Sequence, residues 1–160
     1  MLIEMAVKGL MVDPLTNLPI IILRDEVQER VLPIWVGPVE ANAIALQIEN
    51  VSTHRPMTHD LLRHVIEEMG GHLVRTIIHD LHESTFYAFL EIHTGDERLL
   101  VDARPSDALA LALRAKVPIY VNDQVFEHVK TVDFVPQQVD QDRLQRWLES
   151  LDPDDLGYKM

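Results

Sequence analysis

Three charged side chains and a hydroxyl group are crowded into six residues of the sequence, at Asp102, Arg104, Ser106 and Asp107. Carboxylates of this kind bind divalent cations, and a guanidinium group can hold a phosphate through two parallel hydrogen bonds. The cluster therefore suits chemistry on a phosphate ester. A structural role is also open, in which Asp102 pairs with Arg104 and Asp107 caps a helix. Spacing alone favours the structural role, because ion pairs and helix caps are common.

A second polar cluster lies at Arg55-Pro-Met-Thr-His-Asp60. Histidine exchanges protons near neutral pH, so His59 is a candidate general acid or base, with Asp60 as the carboxylate that would orient it. The alternative places both residues on the solvated face of a helix, and spacing alone favours that alternative. Seven of the eight histidines lie between residues 54 and 93. Without cysteine, and without two histidines four residues apart, they give little indication of a zinc site.

Three aromatic side chains are candidate stacking platforms for bases, namely Trp35, Phe86 and Tyr87. A place in the core is the better interpretation for Trp35 and Phe86, because aromatic residues in the strands of a small domain are mostly buried. Tyr87 lies on the opposite face of its strand from Phe86 and stays a candidate for substrate binding.

The helix that carries Asp107 is expected to begin at Pro105, because proline has a preset φ and no N–H group. Residues 108–113 are all apolar, which predicts a buried helix. The same corner occurs 67 residues earlier, where residues 37–46 align without gaps on residues 104–113 with five identities. This alignment sets Glu40 against Asp107. It predicts two duplicated strand-rich units, each closed by an Ala-rich helix.

The remaining elements follow from residue alternation and from turn residues. Strands are predicted at 2–12, 18–24, 30–36, 72–81, 85–94, 97–103, 117–121 and 124–129. Further helices are predicted at 38–49, at 58–69 with Thr58 as the N-cap, and at 140–151 as an amphipathic helix. The predicted fold class is α+β. One compact domain would cover residues 1–136, and the amphipathic helix and an acidic tail would cover residues 137–160.

The chain has 160 residues, no cysteine and a net charge of −12. This length suits one domain with a sizeable core. The sequence does not open on a signal peptide, and no apolar run approaches the ~18 residues of a membrane span, so we expect a cytoplasmic protein without a membrane partner. The acidic balance disfavours a simple basic groove for nucleic acid.

Four blocks of the sequence together resemble the bifunctional nuclease domain family. They are Leu32-Pro-Ile-Trp-Val-Gly37 with Glu40-Ala41, Arg55-Pro-Met-Thr-His-Asp-Leu-Leu62, Asp80-Leu81 with Thr85-Phe-Tyr-Ala88, and Asp102-Ala-Arg-Pro-Ser-Asp-Ala108. The resemblance runs in order over roughly residues 1–130. It implies a compact α+β domain that cleaves both DNA and RNA, with these polar clusters in its site. Ser84 stands where the family tends to have glycine, so a different hairpin turn is expected there.

With this resemblance, the leading hypothesis is a divalent-metal-assisted phosphodiesterase in which Arg104 holds a phosphate and His59 carries the proton. The ion would be Mg²⁺ or Mn²⁺, and its ligands would be Asp102, Asp107 and Glu40. The catalytic residues would be His59, Asp60, Arg104 and Ser106. The residues that bind substrate would be Arg55, Arg104 and Tyr87. The alternative hypothesis is a non-enzymatic module that binds a small ligand or a protein in the same pocket.

The negative charge of the chain constrains both hypotheses, because each phosphate contact normally needs a positive partner. The protein must bind nucleic acid weakly, bridge through a divalent cation, or gather its arginines, for which the candidates are Arg55, Arg63, Arg75 and Arg104. A homodimer is also expected, since 47% of the residues are hydrophobic and the 140–151 helix has an apolar stripe.

Overall fold

The computed structural model describes residues 1–129, which form one seven-stranded sheet with four helices. The strands are β1 (Leu2–Val12), β2 (Pro19–Arg24), β3 (Val31–Trp35), β4 (Gly71–His82), β5 (Thr85–Thr94), β6 (Glu97–Ala103) and β7 (Ile119–Asn122). The helices are α1 (Pro38–Ile48), α2 (Thr58–Glu68), α3 (Pro105–Ala115) and α4 (Gln124–His128). The predicted α+β class is confirmed, while the predicted 140–151 helix lies outside the described residues. Within those residues, no helix combines the length and apolar character needed to cross a bilayer.

The sheet is built from two three-stranded meanders, one on each side of β7. The strand order is β3-β2-β1-β7-β4-β5-β6, and neighbours within each meander are antiparallel. Strand β7 runs antiparallel to β1 and parallel to β4, so β1 and β4 run in opposite directions. Each meander leads into an 11-residue helix, α1 or α3. A twofold rotation near β7 would relate such halves, and superposition of residues 5–46 on 72–113 remains the test of the predicted duplication.

The core lies between the sheet and the helices, with α3 at its centre. Residues Ala108–Ala112 of α3 are each at most 1% exposed, as expected of a helix that is apolar all round. They join Leu23, Ile34 and Val121 of the sheet in one cluster. Ala41 of α1 belongs to the same cluster, and these small side chains let α1 pack directly against α3.

The segment after β7 is helical, so the strand predicted at 124–129 is wrong. Asn122 Oδ1 accepts the backbone N–H of Gln124 at 3.1 Å, a local turn that ends the strand. Asp123 already has αR backbone angles, and α4 follows. The helix buries Val125 in the core, whereas the alternating sequence pattern had suggested an extended chain.

Helix α2 begins one residue earlier than the predicted N-cap implies. Met57 is the N-cap and Thr58 is the first helical residue, so the assignment of Thr58 as the N-cap is wrong. Asp60 Oδ2 accepts the Met57 N–H at 2.9 Å. A carboxylate at the third helical position can close the first turn in this way without help from the N-cap side chain.

Helix α2 also leaves most of its apolar stripe exposed. Ile66 packs against the core, but the other members of the stripe remain exposed, namely Leu61, Leu62, Val65 and Met69. His59 is the buried residue of this helix, so the solvated face expected from spacing is not observed. Trp35 is likewise exposed instead of buried, and its indole Nε1 donates to Asp13 Oδ2 at 3.0 Å.

Candidate active site

The N-terminal ends of α1 and α3 carry the two acids that the sequence repeat sets in register. Both helices begin with a proline, and Glu40 and Asp107 each occupy the third helical position. Neither helix start is capped by a side-chain hydrogen bond. The interpretation of Asp107 as a helix cap is therefore wrong. Both carboxylates are instead bound to Arg104.

Arg104 joins the two helix starts. Its Nε donates to Asp107 Oδ2 at 2.9 Å and its Nη2 to Asp107 Oδ1 at 3.3 Å, while its Nη1 donates to Glu40 Oε1 at 3.0 Å. The Arg104 side chain is 64% exposed, so the guanidinium group faces solvent while it holds both acids. Asp102 lies exposed on β6 and is not the partner of Arg104. The alternative in which these two residues pair is wrong.

Gly37 is the residue of the first unit that aligns with Arg104, and its lack of a side chain leaves room for this bridge. A Cβ atom on Gly37 would overlap Oε2 of the Glu40 carboxylate, whose other oxygen is bound by Arg104. The aligned positions therefore have complementary roles. The second unit supplies Arg104. The first unit has a glycine at the aligned position, which leaves room for the Glu40 carboxylate that Arg104 binds.

His59 reaches the same network from α2. Its Nε2 lies 2.9 Å from Asp107 Oδ1, and its side chain is 11% exposed. Asp107 thus contacts two basic side chains at once, one on α2 and one at the start of α3. We call Glu40, His59, Arg104 and Asp107 the Arg104 network.

Asp60 does not make the orienting contact with His59 that its position in the sequence suggests. Its Oδ1 accepts a hydrogen bond from Arg114 Nε at 3.0 Å, and its Oδ2 accepts the Met57 N–H. Successive side chains of an α-helix point about 100° apart, so neighbours on α2 cannot share a direction. Asp107 contacts the His59 ring instead.

The electrostatics of Asp107 are set by its surroundings. Burial raises the pKa of this carboxyl group, but hydrogen bonds from Arg104 and His59 outweigh burial and hold the pKa below its ordinary value of 3.8. The hydrogen bonds to Asp107 and Glu40 in turn raise the pKa of the Arg104 guanidinium. Asp107 is therefore ionised at neutral pH.

The predicted metal ligands do not form a ready-made cation site. Arg104 occupies oxygens of both Glu40 and Asp107, while Asp102 lies exposed on the edge strand β6. Across residues 1–129, no three His, Asp or Glu side chains are arranged to hold a metal ion. A cation at these carboxylates would have to replace contacts that Arg104 makes, so the metal ion remains a prediction.

The other predicted site residues lie at different distances from the Arg104 network. Ser106 is buried at the second position of α3, directly beside Asp107 in the sequence. Arg55 is exposed in the segment between α1 and α2 and lines a cavity there. Tyr87 is exposed on β5, where its ring lies 6.4 Å from that of His79.

The arginines considered as a phosphate-binding group are not gathered at one place. Arg75 and Arg98 are both paired with the buried Glu91 on the sheet. Arg63 donates to the backbone carbonyl of Arg114 at 2.9 Å. Of the four candidates, Arg55 and Arg104 are the two with exposed side chains.

Arg114 is a buried residue that sequence analysis missed. Its Nε binds Asp60 of α2, its Nη1 donates to the Ala110 carbonyl at 2.9 Å, and its Nη2 donates to the Ala43 carbonyl of α1 at 2.8 Å. One side chain therefore ties α1, α2 and α3 together. The signal was an arginine that ends the apolar run of α3, because a charge in a buried helix must find partners.

Comparison with known proteins shows which domain family the chain is similar to. The bifunctional nuclease domain matches residues 21–133, which include the whole Arg104 network. An uncharacterized protein of Mycobacterium tuberculosis (strain ATCC 25618 / H37Rv) is 39% identical over 164 residues, covering 96% of this chain and 97% of that protein.

Two plant proteins share a shorter region with the chain. Bifunctional nuclease 1 of Oryza sativa subsp. indica is 30% identical over 110 residues, which cover 66% of this chain and 33% of that protein. Bifunctional nuclease 2 of Arabidopsis thaliana is 35% identical over 95 residues, which cover 57% of this chain and 29% of that protein. The domain match and these similarities show that the chain belongs to the bifunctional nuclease domain family.

Proposed function

We propose that the chain is a nuclease that hydrolyses phosphodiester bonds of DNA and RNA at the Arg104 network. The family suggests a nucleic-acid substrate. The observation that carries the proposal is an exposed guanidinium group, held by two carboxylates, beside a His59–Asp107 pair in which the histidine is largely buried. Such a site combines a phosphate ligand with a group that can move a proton.

Arg104 would bind the phosphate. Its guanidinium group has five N–H donors, and three of them are used in the bonds to Asp107 and Glu40. The remaining two can hold phosphate oxygens without breaking these bonds. The two acids also fix the direction of the guanidinium group, so less side-chain freedom is lost when substrate binds.

His59 would carry the proton. When its Nε2 donates to Asp107, its Nδ1 is the free acceptor of the ring. In hydrolysis the oxygen of a water molecule bonds to phosphorus, and the bond between phosphorus and the leaving sugar oxygen breaks. The proton from the water passes to Nδ1, solvent water supplies the proton that the leaving oxygen takes up, and His59 then returns its proton to solvent. The Asp107 carboxylate stabilises the imidazolium that forms.

Dependence on Mg²⁺ or Mn²⁺ is part of the proposal. A divalent ion would add positive charge next to the phosphate, beyond that of Arg104, in a chain whose net charge is −12. The oxygens that would hold it belong to Asp102, Asp107 and Glu40, and the ion would replace contacts that Arg104 makes with the last two. Cleavage rates measured with and without EDTA test this dependence separately from cleavage itself.

The first prediction concerns the hydrolytic residues. Purified protein should cleave labelled single-stranded DNA and RNA, and His59→Gln and Asp107→Asn should each lower the rate by about 10²–10³-fold. The matched control is Asp96→Asn, which removes an exposed carboxylate from the turn between β5 and β6 and should keep the wild-type rate. Equal rates for all four proteins, with circular dichroism showing each to be folded, would contradict the assignment.

A non-enzymatic binding module is the second candidate function. It is favoured by the full pairing of Glu40 and Asp107 with Arg104, which resembles a stable structural bridge as much as a catalytic group. Such a module would bind oligonucleotide or another anion at Arg104 without cleaving it. Retained binding together with no cleavage, at any divalent ion concentration, would support this candidate.

A further inference from the structure

A cavity of about 340 Å³ opens beside the candidate active site. It lies between the connector (residues 51–57) and the helices α1, α2 and α3. Its volume is at the lower end of the roughly 300–1,000 Å³ that small-molecule sites occupy. Hydrogen bonds hold the connector at both ends, from the Val51 N–H to the Leu46 carbonyl at 2.9 Å and from the Met57 N–H to Asp60 Oδ2 at 2.9 Å. Within the connector, Thr53 Oγ1 donates to the Arg55 carbonyl at 2.7 Å.

The lining of this cavity is basic although the chain is acidic. Arg55, His54 and His64 contribute exposed side chains, and the buried Arg114 contributes a fourth. The acid in the lining is Asp60, whose two oxygens are engaged by Arg114 and by the Met57 N–H. In a chain with a net charge of −12, the cavity therefore offers a local site for an anion.

The two sites are linked through α3. Asp107 near the start of this helix contacts His59, while Arg114, seven residues further along, contacts Asp60. Seven helical residues span about 10 Å. One phosphate group cannot reach both sites, but one strand can.

We propose that the cavity binds the sugar–phosphate backbone of a single nucleic-acid strand, a few nucleotides away from the phosphate held at Arg104. This inference rests on the proposed nuclease function. Among the described residues that line the cavity, none is Trp, Tyr or Phe, the side chains with the largest aromatic surfaces for stacking a base. Recognition of the backbone alone explains how one site serves both DNA and RNA. Arg55 makes the phosphate contact, and Arg114 holds the cavity in shape.

The test measures how binding of a hydrolysis-resistant single strand of about 12 nucleotides depends on salt, by fluorescence anisotropy. Each phosphate contact to a single strand contributes about 0.7 to the slope of log K against log salt concentration. Arg55→Gln should therefore flatten the slope by about 0.7 and weaken binding several-fold at low salt. Arg55→Lys should restore the slope. The matched control Arg24→Gln removes an exposed arginine of β2 and should leave both quantities unchanged.

Cleavage of a dinucleotide separates the two proposals. A dinucleotide is too short to reach the cavity, so Arg55→Gln should lower kcat/KM for the longer strand by a larger factor than kcat/KM for the dinucleotide. A wild-type slope in Arg55→Gln would overturn the cavity assignment and leave the nuclease proposal standing. An Arg55-dependent slope in a protein that cleaves neither substrate would support the cavity and overturn the nuclease proposal.

Discussion

Asp107 is the residue on which the candidate active site depends, because it contacts both His59 and Arg104. A carboxylate between an imidazole and a guanidinium group fixes the orientation of both. The exposed guanidinium group is then available to substrate, while the histidine stays largely buried. The strength of these contacts can be measured through the pKa of the Asp107 carboxyl group.

The second prediction concerns Arg104→Gln. Hydrogen bonds from Arg104 contribute to the low pKa of Asp107, so their loss should raise this pKa toward or above 3.8. Carbon-13 NMR of the side-chain carboxyl group would follow the titration. The same variant should raise the substrate concentration needed for half-maximal rate and keep any dependence on divalent ions. An unchanged Asp107 titration would show that Arg104 does not control this carboxylate.

The third prediction concerns the buried Glu91 on the other side of the fold. Burial raises the pKa of Glu91, but hydrogen bonds from Arg75, Arg98 and His93 outweigh it and lower the pKa from 4.5 to about 2. This carboxylate therefore stabilises the folded state above pH ~4.5, and the stabilisation is lost as the pH falls toward 2. The loss should be on the order of 1–3 kcal/mol in urea unfolding. Glu91→Gln should remove most of this dependence, whereas the exposed Glu83→Gln should keep it.

Part of the candidate site could be predicted from the internal repeat of the sequence. The repeat placed Glu40 and Asp107 at equivalent helix starts, and in the structure each residue is the third of its helix. The contact between His59 and Asp107 could not be predicted, because it depends on how α2 lies on α3. The role of Arg114 was missed for the same reason, since its partners come from two other helices.

At the scale of secondary structure, the turn of the β4–β5 hairpin holds two residues other than glycine in a backbone conformation that favours glycine. Glu83 and Ser84 form a two-residue turn, and both have positive φ angles, at 48° and 64°. Turns of this kind favour glycine and asparagine, because a Cβ atom is strained in the left-handed region. Ser84 thus keeps a backbone conformation suited to glycine.

The fourth prediction follows from this strain. Ser84→Gly should stabilise the protein by about 0.5–1 kcal/mol, because relief of the left-handed strain exceeds the extra flexibility that glycine adds to the unfolded chain. Thermal unfolding would show a higher Tm. The control is Ser52→Gly in the connector, where φ is not positive, and it should give no increase. A lower Tm for Ser84→Gly would mean that the serine side chain stabilises the turn.

Helices and strands were predictable where the pattern was long. The six strands of the two meanders and the three 11-residue helices follow from alternation, proline positions and apolar runs. Helix α4 was not predictable, because five residues are too few to separate a helical from an extended period. Its helical state depends on burial of Val125.

At the scale of the whole molecule, the sheet ends in an edge strand with an apolar surface. Leu99, Leu100 and Val101 of β6 are 41–47% exposed, and β6 is the outermost strand next to β5. Exposed apolar edge strands pair readily with other strands. A second copy of the chain is the partner that such an edge fits best, because a twofold axis would pair β6 with itself.

The fifth prediction is therefore a homodimer through β6. Light scattering at micromolar concentration should give twice the 18.3 kDa of the chain. Leu100→Lys combined with Val101→Lys should shift the mass to that of the monomer, because charge is not tolerated in a buried apolar interface. Val27→Lys alters an equally apolar but distant exposed position, and the dimer should persist. A monomeric wild-type protein would exclude this interface.

Strand β7 lies in the middle of the sheet, yet it follows the other six strands in the chain. A ribosome makes Glu40, His59, Arg104 and Asp107 before it makes the strand that joins the two meanders. The sheet cannot close until residues 119–122 have left the exit tunnel and inserted between β1 and β4. The two meanders are therefore joined only after all four residues of the Arg104 network have been synthesised.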